Sequence, residues 1–211
     1  MERIAEFFSS SGGQAVAAAL AAAVFLASLG FSRGKAPGPR TKTLVFSAML
    51  ITLATVLSRF EIKFTFGGSI TVCSMFFVIL AGWWFGPAAG ISAALAYGLL
   101  QFALEPWFIH PAQVFLDYIL GFGLLGASGF FRGRKHGFYL AIVVPMLLRL
   151  ACSTTAGAIF FAGNAWDGWA PLAYSLVYNC GYIIPEMALT LMLAAVPQFR
   201  AALEYARRFA E

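Results

Sequence analysis

The chain has 211 residues, of which 61% are hydrophobic and only 11% charged, and its net charge is +5. Soluble domains carry about a quarter charged residues, and one of this size has too little interior to bury so much apolar surface. The composition therefore excludes a soluble domain. Continuous apolar runs of about twenty residues favour transmembrane helices over the alternating strands of a barrel. Short basic clusters between these runs are typical of membrane orientation signals, not of nucleic-acid binding.

Seven apolar runs predict seven transmembrane helices in one all-α bundle. The first run does not fit a cleaved signal peptide, because Glu2 and Glu6 weaken the basic region before it and the positive charge follows it. The tail after Pro197 alternates arginine with apolar residues, as in a helix lying along the membrane surface. The predicted helices are 13–32, 44–60, 71–85, 88–105, 112–131, 137–163 and 171–195.

The distribution of lysine and arginine predicts the orientation. Segments 33–42, 132–135 and the tail after Pro197 carry four, three and three of them, and with seven helices all three segments fall on one side. Basic loops face the cytoplasm, so we expect the N-terminus outside and the C-terminus in the cytoplasm. The predicted organisation is an extra N-terminal helix with a basic loop (1–43), a six-helix membrane core (44–196) and a basic amphipathic cytoplasmic tail (197–211).

Three charged side chains lie well inside predicted helices, away from the helix ends: Asp117, Arg149 and Glu186. Charges inside a membrane are rare and are functional candidates. Arg149 and Glu186 suit either a structural ion network or a place in a site. If all three ionise, two carboxylates face one guanidinium, and the remaining negative charge is costly without a partner. A cationic ligand or protonation of one carboxylate would resolve this.

Aromatic and polar residues near Asp117 suggest a ligand site. Trp107, Tyr118 and Tyr174 lie near outer helix ends, where aromatic residues often form an interfacial belt, but Tyr118 directly follows Asp117. Gln113, one turn before Asp117, can reach the same cavity. Tyr174 and Asn179 are five residues apart on one helix, so they are offset by about 140°. Both would reach one pocket only across a wide cleft or a distorted turn.

The second predicted helix carries small residues at Ala48, Thr52, Ala54 and Ser58. Small residues at such spacing allow helices to pack closely. They serve either packing within the bundle or, at Ala48 and Thr52, docking to a partner subunit.

Several activities lack the residues they need. The sequence has no glycine-rich phosphate-binding loop with lysine and serine or threonine, so the chain is not expected to hydrolyse ATP. Its two histidines, His110 and His136, fall on opposite sides of the predicted bundle. They cannot build a metal site, a haem site or a Ser-His-Asp arrangement within the membrane. An intramembrane enzyme would have to use Asp117 with Glu186.

Ordered motifs across residues 44 to about 195 give the chain a family resemblance. The sequence resembles the thiamine-specific S components (the ThiT family) of energy-coupling factor transporters. The motifs are Gly67-Gly68-Ser69-Ile70-Thr71, Tyr97-Gly98-Leu99-Leu100-Gln101, the stretch from His110 to Phe122 continuing to Gly129, Gly157-Ala158-Ile159-Phe160-Phe161, Tyr174 to Asn179, and Ile184-Pro185-Glu186.

This resemblance implies a function and a set of site residues. An S component binds its vitamin from the outer face of the bacterial plasma membrane and works with a transmembrane coupling protein and two ATPases. It has no enzymatic activity, cofactor or resident metal. Thiamine carries a cationic thiazolium, which suits aromatic faces and a carboxylate. The residues that match the family's binding positions are Trp107, Asp117, Tyr118, Phe161, Tyr174 and Asn179, with Gln113, Arg149 and Glu186 as possible support.

One position departs from the family pattern. Ser153 stands where the family places a histidine. The serine removes a stacking ring, so neighbouring aromatic residues compensate, the affinity is lower, or the ligand is another small heterocycle such as a thiamine precursor. The sequence leaves these alternatives open, together with the intramembrane enzyme.

Overall fold

The computed structural model describes residues 40–63 and 68–210, so the predicted helix 13–32 lies outside the described residues. The elements in chain order are α1 (Arg40–Ser58), β1 (Glu61–Lys63), β2 (Ser69–Thr71), α2 (Ser74–Phe85), α3 (Pro87–Leu104), a segmented span from Pro111 to Phe131, α6 (Gly137–Phe160), a 3₁₀ turn (Ala162–Asn164), α7 (Pro171–Ala195) and α8 (Pro197–Ala210).

The all-α membrane class is confirmed. Within the described residues, five helical stretches are long and apolar enough to cross a membrane: α1, α3, the segmented span, α6 and α7. The sixth apolar helix, α2, has 12 residues, a length of about 18 Å against a hydrocarbon core of about 30 Å. Three predicted boundaries are corrected, because α1 begins at Arg40 rather than residue 44, α2 begins at Ser74 rather than residue 71, and α6 ends at Phe160 rather than residue 163.

The short helix α2 forms the centre of the bundle. Ten of its 12 residues are buried, and its sequence is apolar around the whole circumference. A helix of that kind is stable only where other helices surround it. It packs against α1, α3, α6 and the end of the segmented span. The core includes Phe76, Ile79, Tyr97, Leu125, Ile142 and Met146.

The outer helices present apolar side chains on the surface. On α1, Val45, Met49 and Val56 are each about half exposed, and Met192 on α7 is 62% exposed. A surface of large aliphatic side chains suits lipid tails, which are as apolar as the side chains themselves. The helix α8 differs, because it carries arginines while its residues Phe199, Leu203 and Ala206 pack inward. An amphipathic helix is thus present in the predicted tail.

The span from Pro111 to Phe131 is not one regular helix. It consists of α4 (Pro111–Val114), a π-helix (Phe115–Leu120), α5 (Gly121–Gly123) and a 3₁₀ helix (Leu124–Phe131). π-Helical turns are rare and frequently occur at functional sites. The π segment contains Asp117 and Tyr118, so the irregular part of this span coincides with two predicted site residues. The sequence predicted the span but not its segmentation.

A short antiparallel hairpin between α1 and α2 was not predicted. Glu61, Ile62 and Lys63 pair with Thr71, Ile70 and Ser69, respectively. Strands of three residues leave too short a pattern to recognise in sequence. The hairpin explains why α2 starts three residues later than predicted.

The carboxylate of Glu186 on α7 fixes both the hairpin and the start of α2. Its Oε2 accepts from the Thr71 backbone N–H at 3.3 Å and the Thr71 hydroxyl at 2.8 Å. Its Oε1 accepts from the Met75 backbone N–H at 3.2 Å and the Ser74 hydroxyl at 3.4 Å. The first backbone N–H groups of a helix lack internal partners and favour a negative charge. Glu186 therefore caps α2 from a helix more than a hundred residues later.

Glu186→Ala should lower the free energy of unfolding by about 3 kcal/mol, because it leaves several buried donors without an acceptor. Glu186→Gln should be intermediate, since one amide oxygen replaces two carboxylate oxygens. Thermal unfolding of the detergent-purified protein provides the measurement. The control is Glu204→Ala at an exposed position of α8, where little change is expected. Equal stability of the Glu186→Ala and Glu204→Ala variants would contradict the capping role.

Candidate ligand-binding site

A cavity of about 640 Å³ lies among the hairpin, the ends of α1 and α3, the segmented span, α6 and α7. Its size is within the usual range for small-molecule sites, about 300–1,000 Å³. All ten predicted site and support residues line it. They are Trp107, Gln113, Asp117, Tyr118, Arg149, Ser153, Phe161, Tyr174, Asn179 and Glu186. The predicted docking residues Ala48 and Thr52 lie elsewhere, on the exposed face of α1.

The π-helix places both Asp117 and Tyr118 at the cavity, although consecutive residues of an α-helix point about 100° apart. The Gln113 side-chain amide donates to Asp117 Oδ2 at 3.3 Å. The Gln113 oxygen accepts from the Ile109 backbone N–H at 2.9 Å, which fixes the direction of that amide. The Tyr118 hydroxyl donates to the carbonyls of Glu105 and Trp107 at 3.3 and 3.4 Å. Hydrogen bonds thus hold both side chains of the π-helical turn in place.

Aromatic rings form another part of the lining. Trp107 and Phe161 stack with ring centroids 4.8 Å apart and an interplanar angle of 5°. One face of Phe161 is therefore covered by Trp107, which is itself 61% exposed. Tyr174 packs edge-on against Trp166, with centroids 5.2 Å apart. These rings come from separate connections and helices, and sequence spacing alone did not reveal that they meet.

Acidic groups lie at the rim of the cavity as well as inside it. Glu61 of the hairpin and Glu105 at the end of α3 both line it, and Glu105 forms an ion pair with Arg59. Partial burial acts to raise the pKa of Glu61, but hydrogen bonds from Lys63 and Ser69 and the charges of Lys63 and Arg59 lower it overall. The carboxylate of Glu61 is therefore charged at neutral pH.

Arg149 does not form the direct ion pair with Glu186 that the sequence allowed. In the described residues, no N–O distance within 4.0 Å joins the two side chains. The guanidinium carbon of Arg149 instead lies 3.6 Å above the Phe122 ring centroid, a cation–π contact. Neutral hydroxyl and backbone donors instead bind both oxygens of Glu186. The intramembrane-enzyme alternative requires Glu186 as its second carboxylate. Both oxygens of Glu186 already accept hydrogen bonds from Thr71 and Met75.

Asn179 and Tyr174 both reach the cavity because it is wide. The two residues lie on regular turns of α7, and both line the cavity. The Asn179 side-chain NH₂ donates to the Ser175 carbonyl at 2.8 Å and to the Ser175 hydroxyl at 3.2 Å. The Ser175 hydroxyl in turn donates to the Thr154 carbonyl on α6 at 2.8 Å. These bonds join α6 and α7 behind the lining.

Sequence reasoning missed Tyr182. This residue lines the cavity, and its hydroxyl donates to Asn179 Oδ1. A usable signal existed: Tyr174, Tyr178, Tyr182 and Glu186 follow one another at steps of four, which places them along one helix face.

The fold and the cavity define a multi-pass α-helical membrane protein with a small-molecule site among its helices. A family model described as thiamine transporter protein (Thia_YuaJ) matches residues 44–204, and the chain belongs to that family. The chain is 33% identical over 134 residues to the thiamine transporter ThiT of Bacillus subtilis (strain 168), a match that covers 57% of this chain and 69% of that relative. The family predicted from the motifs is confirmed.

A solved structure of ThiT from Listeria monocytogenes has the same fold. It matches this chain with a TM-score of 0.64 at 22% sequence identity, over 76% of this chain and 97% of that one. Nearly the whole length of that solved chain therefore has a counterpart in this fold.

Gly157→Ala should disrupt the α6–α7 contact at the cavity. A Cβ at Gly157 would lie 2.2 Å from Ser175 Oγ, far inside contact distance, and 3.6 Å from Asn179 Nδ2. We expect a loss of stability of about 1–3 kcal/mol, as for other overpacked sites. Thermal unfolding measures it, with Gly181→Ala as the control, because a Cβ there meets no heavy atom within 4 Å. A Gly157→Ala variant as stable as the wild-type protein would contradict this packing.

Proposed function

We propose that this protein is the substrate-binding S component of an energy-coupling factor importer and that it captures thiamine in the described cavity. The observation that carries the proposal is the meeting of Asp117, aromatic rings and Asn179 around one space of about 640 Å³. Membership of a thiamine transporter family supports the same ligand. The curated relative is named as a transporter, which supports a transport role rather than enzymatic turnover.

The chemistry of the cavity suits thiamine. Its permanently cationic thiazolium is attracted to a carboxylate and to aromatic faces, and Asp117 and the Tyr118 ring belong to the same π-helical turn. The aminopyrimidine offers hydrogen-bond donors and acceptors, for which Asn179 and Asp117 are suitable partners. The ring pair Trp107–Phe161 lies on the exposed side and would cover the ligand after entry.

Because Ser153 stands where the family has a histidine, a second class of ligand is also a candidate. Ser153 and Tyr182 both line the cavity, so the site has an aromatic ring that the sequence reasoning did not count. This ring supports thiamine. Another small heterocycle, such as a thiamine precursor, is the alternative, and it would bind saturably without competition from thiamine.

The orientation we propose has the cavity facing outward and the C-terminus in the cytoplasm. Arg200 at the start of α8 lies 5.9 Å from the ring centroids of Phe138 and Tyr139, near the basic connection 132–135. Two basic segments thus share one end of the bundle, which supports a cytoplasmic location for that end. The tryptophans of the opposite connections are Trp107, Trp166 and Trp169.

We propose that import uses a coupling protein and two ATPases as partners, as in the transporters whose S components this sequence resembles. We propose that Ala48 and Thr52 on α1 form the docking surface. Both are exposed, and the Thr52 hydroxyl donates to the Ala48 carbonyl at 2.9 Å, which leaves a smooth, apolar strip. By contrast, Ala54 is fully buried and Ser58 accepts from Gln101 at 2.9 Å, so these two serve packing within the bundle.

Asp117→Asn should weaken thiamine binding by at least about tenfold without loss of folding, because a hydrogen bond to a charged group contributes about 1.5–3 kcal/mol. Isothermal titration of the purified variant measures the change. Asp167→Asn is the matched control, since Asp167 is exposed and does not line the cavity. Unchanged affinity of the Asp117→Asn variant would remove Asp117 from the site.

Ala48→Trp and Thr52→Trp should reduce thiamine uptake by vesicles that contain the coupling protein and ATPases, while thiamine binding by the lone subunit stays unchanged. A bulky ring on the strip prevents close helix contact. Met192→Trp tests the effect of a large side chain on another exposed surface, on α7. Normal uptake by both α1 variants would place the docking surface elsewhere.

A further inference from the structure

Aromatic side chains anchor α8 to the end of the bundle. Val196, with φ −72° and ψ 117°, is extended and separates α8 from α7. The ring centroid of Phe199 lies 5.7 Å from that of Phe76 on α2. The guanidinium carbon of Arg200 lies 5.9 Å from the ring centroid of Phe138 on α6. The inner face of α8 therefore contacts two helices of the core.

The apolar surface of α8 is wider than the part that the bundle covers. At about 100° per residue, a continuous apolar arc of about 160° runs around the helix. In order around the arc, its residues are Leu203, Ala206, Ala202, Phe209 and Tyr205. Leu203 and Ala206 pack against the core. Tyr205 and Phe209 are 65% and 57% exposed, and their ring centroids lie 4.9 Å apart. One half of the arc is therefore packed and the other half is exposed.

The charged side chains of α8 are ordered around this apolar arc. From the centre of the arc, Arg207 and Arg200 lie about 120° and about 140° to one side, and Arg208 lies about 140° to the other. Glu204 lies opposite the centre. Arginines beside an apolar face extend their charged ends to the membrane interface while their stems cover apolar surface. This order is typical of a helix that lies in the headgroup region of an anionic membrane, with the acid toward water.

The arginines of α8 also have donors for phosphate groups. Arg200 and Arg208 are exposed, and no carboxylate of the described residues lies within 4.0 Å of their side-chain nitrogens. The connection 132–135 precedes Phe138 and adds three basic residues near Arg200. Guanidinium groups bind phosphate oxygens through paired N–H donors. The charges at this end of the bundle therefore complement the phosphates of anionic lipids.

We propose that α8 and the connection 132–135 form a binding surface for anionic lipid headgroups. Tyr205 and Phe209 enter the leaflet at this end of the bundle, and Arg200 and Arg208 bind the lipid phosphates. Lipid thereby covers the half of the apolar arc that the core leaves exposed. Arginines on both sides of the arc favour a membrane over a protein partner, because a lipid surface contacts both sides of the helix at once.

Amide hydrogen exchange of the full chain in nanodiscs, followed by mass spectrometry, tests this surface. The comparison is between phosphatidylcholine alone and an equal mixture of phosphatidylcholine and phosphatidylglycerol. A basic residue near an anionic surface strengthens binding by about fivefold, so the amides of α8 should exchange at least about fivefold more slowly in the mixture. The amides of α3, inside the bundle, should exchange equally in both. In about 1 M salt the difference should disappear, because the Debye length falls to about 3 Å.

Two double variants separate the charge of the arginines from the folding of the helix. Arg200→Gln combined with Arg208→Gln should lose most of the difference between the two bilayers. Arg200→Lys combined with Arg208→Lys is the matched control and should keep most of it, because the charge remains. If the glutamine variant does not fold, the salt dependence of the wild-type protein decides.

Equal exchange of α8 in the two bilayers would overturn the inference, and so would a difference that persists in about 1 M salt. Equal slowing by inorganic phosphate in neutral nanodiscs would also overturn it, because the ligand would then be a free anion. Slowing of α8 only after addition of the coupling protein would overturn it in favour of a protein interface. None of these outcomes depends on thiamine binding.

Discussion

The hydrogen bonds of Glu186 are the interaction on which the architecture of the cavity depends. One carboxylate on α7 holds the end of the hairpin and the first turn of α2, and thereby joins the last long helix to the central one. The hairpin and the start of α2 both line the cavity. Because a buried acid is stable only with sufficient hydrogen bonds, the backbone and hydroxyl donors of Thr71, Ser74 and Met75 explain how Glu186 lies inside the bundle without a direct cationic partner.

The need to satisfy buried polar groups also orders the side chains that line the cavity. The Gln113 side-chain oxygen accepts from the Ile109 backbone N–H, and its amide nitrogen donates to Asp117. The Asn179 side-chain nitrogen donates to Ser175, and its oxygen accepts from the Tyr182 hydroxyl. Each amide has one direction in which all of these neighbours are satisfied, and buried polar groups take such directions because an unsatisfied one is costly. The lining is therefore ordered before any ligand enters, which limits the entropy lost on binding.

The sequence predicted the helices well because long apolar runs carry a strong signal. It also pointed to residues that line the cavity, since charged residues such as Asp117 are rare within membranes. It missed the hairpin, whose strands have three residues, and the π-helix, which has no distinct pattern. Counting charges left open whether Arg149 and Glu186 form an ion network; it did not show that neutral donors from distant elements would reach the acid instead of a direct cationic partner. Tyr182 was missed although its helix face was predictable, because its hydrogen bond to Asn179 depends on side-chain geometry.

We propose that the cavity among α3, α6, α7 and the segmented span binds thiamine. Isothermal titration of the detergent-purified wild-type chain with thiamine is the decisive experiment. We expect saturable one-to-one binding with a rise in the unfolding temperature, because a ligand that binds only the folded state stabilises it. Folded protein that shows neither heat of binding nor stabilisation with thiamine would contradict it.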